Sequence, residues 1–364
     1  MNMLHSELYR NLMDFLRINT ETQNVDQDKL QQFLETSFGS NCSIEQLSEN
    51  KSVKGFIIKI NSEKSSPGII LSGHCDTVPN AGNEVTEESS LIRGRGSVDM
   101  KYFVSCISVL VAEIQNNHLP FPIYLCLSCD EEEATHGVQK IIERLKQEHC
   151  YFNLCIVGEP TNFMPCNTHR GYYGLKFEVE TTNGHSSINS LNNNAIYWSM
   201  KIIQSIIDAN PCEKLNISTI TSSQTSTNSN ASYCSFVMEV RPNISESIAD
   251  VLNCVKKIID AIPSKINVTF KVMDGFIPTF FSEYPVYLSK IFNGRLPSSF
   301  AAASEAPFYQ EVCENVVVYG AGKIEVAHSD HEFILKDDLI RYCEELIAII
   351  KGYEHYITEG GGKL

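Results

Sequence analysis

The sequence has no apolar stretch that approaches the roughly 18 residues that a membrane-spanning helix requires, so we expect no span. It also has no excess of positive charge, since 29 lysines and arginines stand against 44 aspartates and glutamates. The resulting net charge of −15 argues against nucleic acid and anionic membranes as main partners. The first residues do not form a basic region followed by an apolar one, so the sequence predicts no signal peptide.

Cysteine usage and length give two further expectations. The 13 cysteines are an odd number and are scattered along the chain, which is typical of reduced and mostly buried thiols. Together with the missing signal peptide, they predict a cytoplasmic protein. A length of 364 residues suggests about two domains.

Short apolar strands alternate with helices over the first part of the chain. Residues with helical spacing of apolar side chains, or short apolar runs bounded by turn residues, define each element. Such alternation predicts a mostly parallel sheet with helices on both faces, the α/β class. The predicted strands are 53–60, 68–72, 123–127 and 154–157, and the predicted helices are 3–18, 26–38, 101–115 and 136–148.

The pattern changes after residue 171. Strands are predicted at 174–182, 233–241 and 266–273, helices at 193–209 and 245–261, and a Ser/Thr/Asn-rich stretch at 216–232. These elements fit the order strand–helix–strand–strand–helix–strand, with three of its four strands located, and so predict an inserted α+β domain of the ferredoxin-like type. The α/β pattern returns with a strand at 316–319 and a last helix at 336–352. We therefore expect one domain from 1–173 and 276–364, and a second from 174–275.

Histidines and carboxylates recur where predicted strands end. In a strand, alternate side chains share a face, so His74 and Asp76 point the same way, which suits a metal-ligating imidazole held by a carboxylate. Ligands gather at the carboxyl ends of strands in open α/β sheets. A cluster of such acids would repel itself, and divalent cations would remove the conflict. The remaining members of the set are Asp99, Glu131, Glu132, Glu159 and His328.

Each of these residues taken alone also has an ordinary structural explanation. His74 with Asp76 suits a buried histidine with a structural partner, and the acids at 130–133 suit the start of a helix, where acids are favoured. His328 alone suits a surface histidine. Their occurrence together and in this order favours a functional site.

Several motifs resemble the M20 family of zinc aminoacylases and peptidases, and within it the acetylornithine deacetylase branch. The family-level motifs are SGHCDTVP (72–79), GRGSVDMK (94–101), SCDEE (128–132), VGEPT (157–161) and AH (327–328). The branch-level motifs are HRG (169–171), GHSS (184–187), RP (241–242) and SEAP (304–307). The sequence departs from the family at three places: Tyr102 replaces the usual Gly, Ser128 a common Thr, and His331 stands beside the usual acid before Glu332.

The resemblance implies a site for two metal ions. One ion would be held by His74, Asp99 and Glu159, and the other by Asp99, Glu132 and His328, so that Asp99 bridges them. Imidazole and carboxylate ligands suit Zn²⁺, and Co²⁺ or Mn²⁺ could substitute. Asp76 would fix the tautomer of His74.

The resemblance also implies an activity, the removal of the acetyl group from N2-acetylornithine in arginine biosynthesis. A metal-bridging water would attack the amide, with Glu131 as general base. His185 would stabilise the oxyanion, supplied by the inserted lid domain of a partner across a homodimer. Arg241 and Asn228 are candidates for the substrate carboxylate, and Glu305 for its ammonium group.

Other functions remain open at this stage. Within the same chemistry, the substrate could be another N-acyl amino acid, such as succinyl-diaminopimelate or acetylcitrulline, or a dipeptide. In a different class, the chain could be a non-catalytic binding or regulatory relative. The presence of Glu131 beside Glu132 argues against this last alternative, because a binding protein has no need of the predicted base.

Overall fold

The computed structural model describes residues 3–39, 42–50, 52–61, 67–80, 84–148, 152–224 and 226–361. The chain divides into two compact units, the first made of Met1–His169 and Phe280–Leu364 and the second of Arg170–Thr279. The predicted inserted domain, 174–275, lies inside the second unit. No described helix is both long and apolar enough to cross a membrane.

The first unit begins with a helical pair and then builds most of a sheet. Its helices in this part of the chain are α1 (Met3–Leu16), α2 (Gln27–Phe38), α3 (Lys101–Asn116) and α4 (His136–Gln147). Its strands are β1 (Ser43–Glu49), β2 (Ser52–Ile60), β3 (Gly68–His74), β4 (Thr86–Glu87), β5 (Leu91–Arg93), β6 (Ile123–Ser128), β7 (Phe152–Val157) and β8 (Cys166–His169).

The second unit follows in the chain, and the first unit then resumes. The second unit contains β9 (Tyr173–Glu180), α5 (Ala195–Ala209), β10 (Leu215–Ser222), β11 (Tyr233–Val240), α6 (Ile248–Asp260) and β12 (Asn267–Val272). The first unit ends with β13 (Phe280–Phe281), α7 (Val286–Ile291), β14 (Ser298–Phe300), α8 (Ala306–Tyr309), β15 (Cys313–Val318), β16 (Phe333–Leu335) and α9 (Lys336–Tyr356).

The central sheet of the first unit confirms the predicted α/β class. Its nine strands run in the order β1-β2-β6-β3-β7-β15-β8-β13, with β14 paired to β8. The four middle strands, β6, β3, β7 and β15, are parallel to one another. The outer pairs β1–β2 and β8–β13 are antiparallel. The carboxyl ends of the four middle strands therefore meet at one edge, where a site can form.

Strand β3 shows why helices cover both faces of this sheet. Every one of its residues is buried, as parallel strands between two helix layers require. Ile69 and Leu71 face a core built with α1, α2, α3, α7 and α9. Ile70 faces a second core, built with α4 and α8. The alternation along β3 thus fixes two separate apolar layers.

The second unit confirms the predicted ferredoxin-like domain. Its sheet has the order β10-β11-β9-β12, all antiparallel, and α5 and α6 pack against it in a single core. Strand β10 lies in the Ser/Thr/Asn-rich stretch, where no strand was located from the sequence. It is an edge strand with mostly exposed side chains, so it carries no alternation of apolar residues.

Candidate active site

Five of the predicted residues lie together at the carboxyl edge of the central sheet. His74 is the last residue of β3, Glu132 follows β6 and Glu159 follows β7. Asp99 lies just before α3, and His328 follows β15 after a short helical turn. Their ligand atoms form two groups in which all atoms lie within 4.8 Å of one another: His74, Asp99 and Glu159, and Asp99, Glu132 and His328.

Asp99 is the residue common to both groups. Its Oδ1 lies 3.0 Å from Nε2 of His74, and its Oδ2 lies 3.2 Å from Nε2 of His328. Nε2 of His328 also lies 3.0 Å from Oε2 of Glu132. One carboxylate therefore presents each of its oxygens to a different group, which is the arrangement that a carboxylate bridging two cations requires.

The electrostatics of the site favour bound cations. Burial raises the pKa of Glu131 and Glu159 well above the ordinary value, and neighbouring acids raise the pKa of both further. Burial would also raise the pKa of Asp99, but hydrogen bonds with the two histidines outweigh it and lower the pKa. Imidazole nitrogens and carboxylate oxygens at these distances are ligands for divalent transition metals, so the residues present fit the implied ions.

Asp76 has a different set of contacts from the one that the sequence suggested. Nδ1 of His74 lies 2.9 Å from the backbone carbonyl oxygen of Asp76 and 3.6 Å from its carboxylate. The carboxylate instead accepts the backbone N–H groups of Glu131 and Glu132, both at 3.1 Å. The carbonyl thus orients the imidazole, and the carboxylate holds the turn that carries the two glutamates.

The adjacent acids Glu131 and Glu132 point to different partners. The N–H of Ala134 donates to the carbonyl of Asp130, which forms a turn after β6. Glu132 lies with His328, whereas Oε2 of Glu131 lies 3.9 Å from Nε2 of His74 and belongs to neither ligand group. The turn therefore gives one acid to a candidate metal group and leaves the other free to act as a base.

Two supports of the site were missed at the level of sequence. Glu332 accepts hydrogen bonds from Nη1 of Arg95 at 2.8 Å and from the N–H of Asp99 at 3.2 Å, so it fixes the loop before α3. The hydroxyl of Tyr102 donates to the carbonyl of Gly158 and accepts the N–H of Ala321. The sequence marked Tyr102 only as a departure from the family, and this departure was the one feature that could have indicated its supporting role.

Three predicted residues belong to the second unit, and their roles stay predictions. Nδ1 of His185 lies 2.8 Å from the hydroxyl of Ser187. Arg241 pairs with Glu239 and lies over the ring of Tyr172, and Asn228 accepts a hydrogen bond from the hydroxyl of Ser226.

Glu305 lies in the first unit. It is 2% exposed, and burial raises its pKa to about 8. A buried carboxyl that tends to hold its proton is a weak partner for an ammonium group. Binding of the substrate ammonium group by Glu305 therefore stays a prediction, and the burial of this carboxyl does not favour it.

The fold and the two ligand groups are those of a metal-dependent hydrolase. The chain belongs to the peptidase family M20/M25/M40, whose pattern matches residues 70–352. It is similar to the acetylornithine deacetylase of Aliivibrio salmonicida, 27% identical over 361 residues, covering 90% of this chain and 93% of that one. It is also similar to the acetylornithine deacetylase of Myxococcus xanthus, 27% identical over 319 residues, covering 80% and 81%.

Two of the solved structures with the same fold are those of peptidases. A tripeptidase from Staphylococcus aureus superposes with a TM-score of 0.79 at 16% identity, covering 96% of this chain and 99% of that one. An M20 family metallo-carboxypeptidase from Sulfolobus solfataricus gives a TM-score of 0.76 at 14% identity, covering 96% and 99%. These likenesses confirm the fold.

Proposed function

We propose that the protein is a deacetylase that cleaves N2-acetylornithine to ornithine and acetate, a step of arginine biosynthesis in the cytoplasm. The observation that carries this proposal is the pair of ligand groups that share Asp99 beside an uncommitted Glu131. Curated relatives that span most of the chain bear the name acetylornithine deacetylase. The proposed cofactor is a pair of Zn²⁺ ions per chain, with Co²⁺ or Mn²⁺ as substitutes.

The residues of this chain have distinct tasks in the proposed reaction. Bound cations would supply Lewis acidity and lower the pKa of a coordinated water from about 15.7 towards 7. Glu131 accepts a proton from the attacking water and passes it to the leaving amine. Its raised pKa suits the first of these transfers, because a carboxylate with a higher pKa is a stronger base towards the proton of the attacking water. The carboxylate of Asp76 keeps Glu131 in place by accepting a hydrogen bond from the backbone N–H of Glu131.

Three residues of the second unit also have roles in the proposed reaction. We assign to His185 the stabilisation of the developing oxyanion, and to Arg241 and Asn228 the binding of the substrate carboxylate. In this proposal, His185 comes from a partner subunit. Glu305 remains the candidate for the ammonium group.

A homodimer through the second unit is part of the proposal. Helix α5 exposes Ile196, Met200 and Ile207, which lie on one stripe at spacings of four and seven residues. Ile188 and Leu191, just before this helix, are 84% and 65% exposed. An apolar surface of this kind is typical of a contact between subunits.

A peptidase activity is the second candidate, favoured by the structural neighbours described as tripeptidase and di-peptidase. A screen of N-acetylornithine, other N-acyl amino acids and dipeptides with Zn²⁺ and Co²⁺, scored by kcat/KM, separates the two. We expect the highest kcat/KM with N2-acetylornithine, about two metal ions per chain, and a dimer in size-exclusion chromatography. A clear preference for dipeptides would favour the second candidate, and metal-loaded protein that turns over no amide would refute both.

A further inference from the structure

A short segment after α1 is bound to both loops that carry the candidate catalytic acids. We name this segment, Glu21–Gln23, the N-terminal strap. The N–H of Thr22 donates to the carbonyl of Thr77 at 3.2 Å, and Oε1 of Glu21 accepts the N–H of Asn80 at 2.8 Å, so the strap holds the loop after β3. Nε2 of Gln23 donates to the carboxylate of Glu133 at 3.1 Å, so it also holds the loop after β6.

The hydroxyl of Thr22 makes the contact closest to the chemistry. It donates to Oδ2 of Asp76 at 2.8 Å. Asp76 is fully buried, and the same carboxylate accepts the N–H groups of Glu131 and Glu132 at 3.1 Å each. Thr22 is therefore one of three donors that fix a single buried carboxylate, and the other two donors belong to the acid pair itself.

We propose that Thr22 is a positioning residue for the acid pair Glu131–Glu132, acting through Asp76. A carboxylate with three donors has its orientation determined by all of them, and the loss of one allows it to rotate and its remaining bonds to lengthen. Such a rotation moves the turn at 131–132. Displacement of a catalytic group by about 1 Å costs up to roughly 100-fold in rate. Neither the motifs nor the family resemblance pointed to this residue.

The inference rests on the proposed reaction and also concerns the ligand group that contains Glu132. It therefore has two independent readouts, the rate of the reaction and the binding of metal ions. The variant Thr22→Val keeps the shape of the side chain and removes the hydroxyl, and Thr22→Ser keeps the hydroxyl. The matched control is Thr20→Val, because the buried Thr20 hydroxyl has no hydrogen-bond partner among the residues that the structure describes. All variants are made in the full chain and loaded with metal.

We expect Thr22→Val to lower kcat about tenfold or more, with KM close to the wild-type value, because a hydrogen bond to a buried carboxylate is lost. Thr22→Ser should recover most of the rate, and Thr20→Val should match the wild type. In a Co²⁺ titration, Thr22→Val should weaken the binding of one of the two ions by about tenfold and leave the other unchanged.

The results that would overturn the inference are distinct from those that would refute the proposed function. Equal kcat values for Thr22→Val and Thr20→Val in an active enzyme would overturn the positioning role, as would an effect confined to KM. If the wild type turns over no N-acyl amino acid, the proposed function fails and the Co²⁺ titration decides the inference alone. Identical Co²⁺ titrations of Thr22→Val and Thr20→Val would then overturn it.

Discussion

Tyr102 provides the sharpest test of how this chain supports its site. The side chain is fully buried, and its hydroxyl donates to the carbonyl of Gly158 at 2.9 Å and accepts the N–H of Ala321 at 2.8 Å. Gly158 directly precedes Glu159, and Ala321 lies on the segment that leads from β15 to His328. One hydroxyl thus ties together the ends of two neighbouring strands that each lead to a candidate ligand.

The substitution Tyr102→Phe removes only the hydroxyl and leaves two buried backbone groups without it. Each buried group that loses its partner costs about 1–3 kcal/mol, so for two groups we expect the free energy of unfolding to fall by about 2–6 kcal/mol. The control is Tyr342→Phe. Tyr342 is a neighbouring buried residue, and its hydroxyl donates a hydrogen bond of 3.3 Å to the carbonyl of Tyr319. That variant should lose only about 0.5–1.5 kcal/mol.

Urea denaturation followed by two probes measures this difference. Circular dichroism reports on both units, whereas the fluorescence of Trp198, the only tryptophan of the sequence, reports on the second unit. Two units need not unfold together, so the two probes are analysed separately. We expect Tyr102→Phe to shift the dichroism transition of the first unit. An equal or larger loss for Tyr342→Phe would refute the reasoning from the bridging hydroxyl.

Three further predictions concern single side chains. Glu131→Gln should reduce turnover by about 100-fold or more while metal analysis still finds both ions, since Glu131 belongs to neither ligand group; loss of an ion would contradict this. Gly158→Ala should lower metal content, because an added Cβ would overlap the ring of Phe103 and displace Glu159, and unchanged content would be evidence against it. Burial would raise the pKa of Glu345, but hydrogen bonds from Arg295 and Tyr319 lower it to about 2. The stability that Glu345→Gln loses relative to the wild type at pH 7 should therefore shrink between about pH 4.5 and 2. A stability difference between the two proteins that stays constant during acid denaturation would contradict this prediction.

The sequence located the middle of the first unit well because its elements have strong local patterns. Strand β3 and helix α3 are both mostly apolar stretches next to turn residues, and such stretches define buried elements without knowledge of their neighbours. The place of His74 and Glu159 at strand ends followed from the same runs. The short strands β4, β5 and β16, which form their own sheet, have two or three residues each, too few to show a period.

The partners of polar side chains could not be read from the sequence. Alternation along β3 placed His74 and Asp76 on one face, yet the carboxylate of Asp76 accepts hydrogen bonds from backbone N–H groups 55 and 56 residues away. Thr22 lies 54 residues from Asp76, and the loop between α1 and α2 has no motif that marks it. A hydrogen bond between loops depends on how the loops approach in space, and periodicity carries no information about that approach.

The crowding of acids at the sheet edge leads to a prediction about metal removal. Burial raises the pKa of Glu131, Glu132 and Glu159, and hydrogen bonds with Asp99 and Glu132 raise the pKa of His328 to about 10. Groups whose pKa is raised by folding stabilise the metal-free chain below their unfolded pKa and lose that contribution as pH rises. Asp99, whose pKa is lowered, has the opposite sign, but its contribution is lost only in strong acid.

The metal-free chain should therefore become less stable as pH rises from about 5 to 8, whereas bound cations neutralise the same acids. We expect the difference in melting temperature between metal-loaded and chelator-treated protein to widen over that range, measured by calorimetry. Metal binding should also release protons, detectable as a dependence of the binding heat on the buffer. Glu131→Gln removes one acid without removing a ligand, so it should stabilise the metal-free form and narrow the difference. A difference in melting temperature that stays constant with pH would show that the acids are not in conflict, and the electrostatic argument for two cations at this edge would fail.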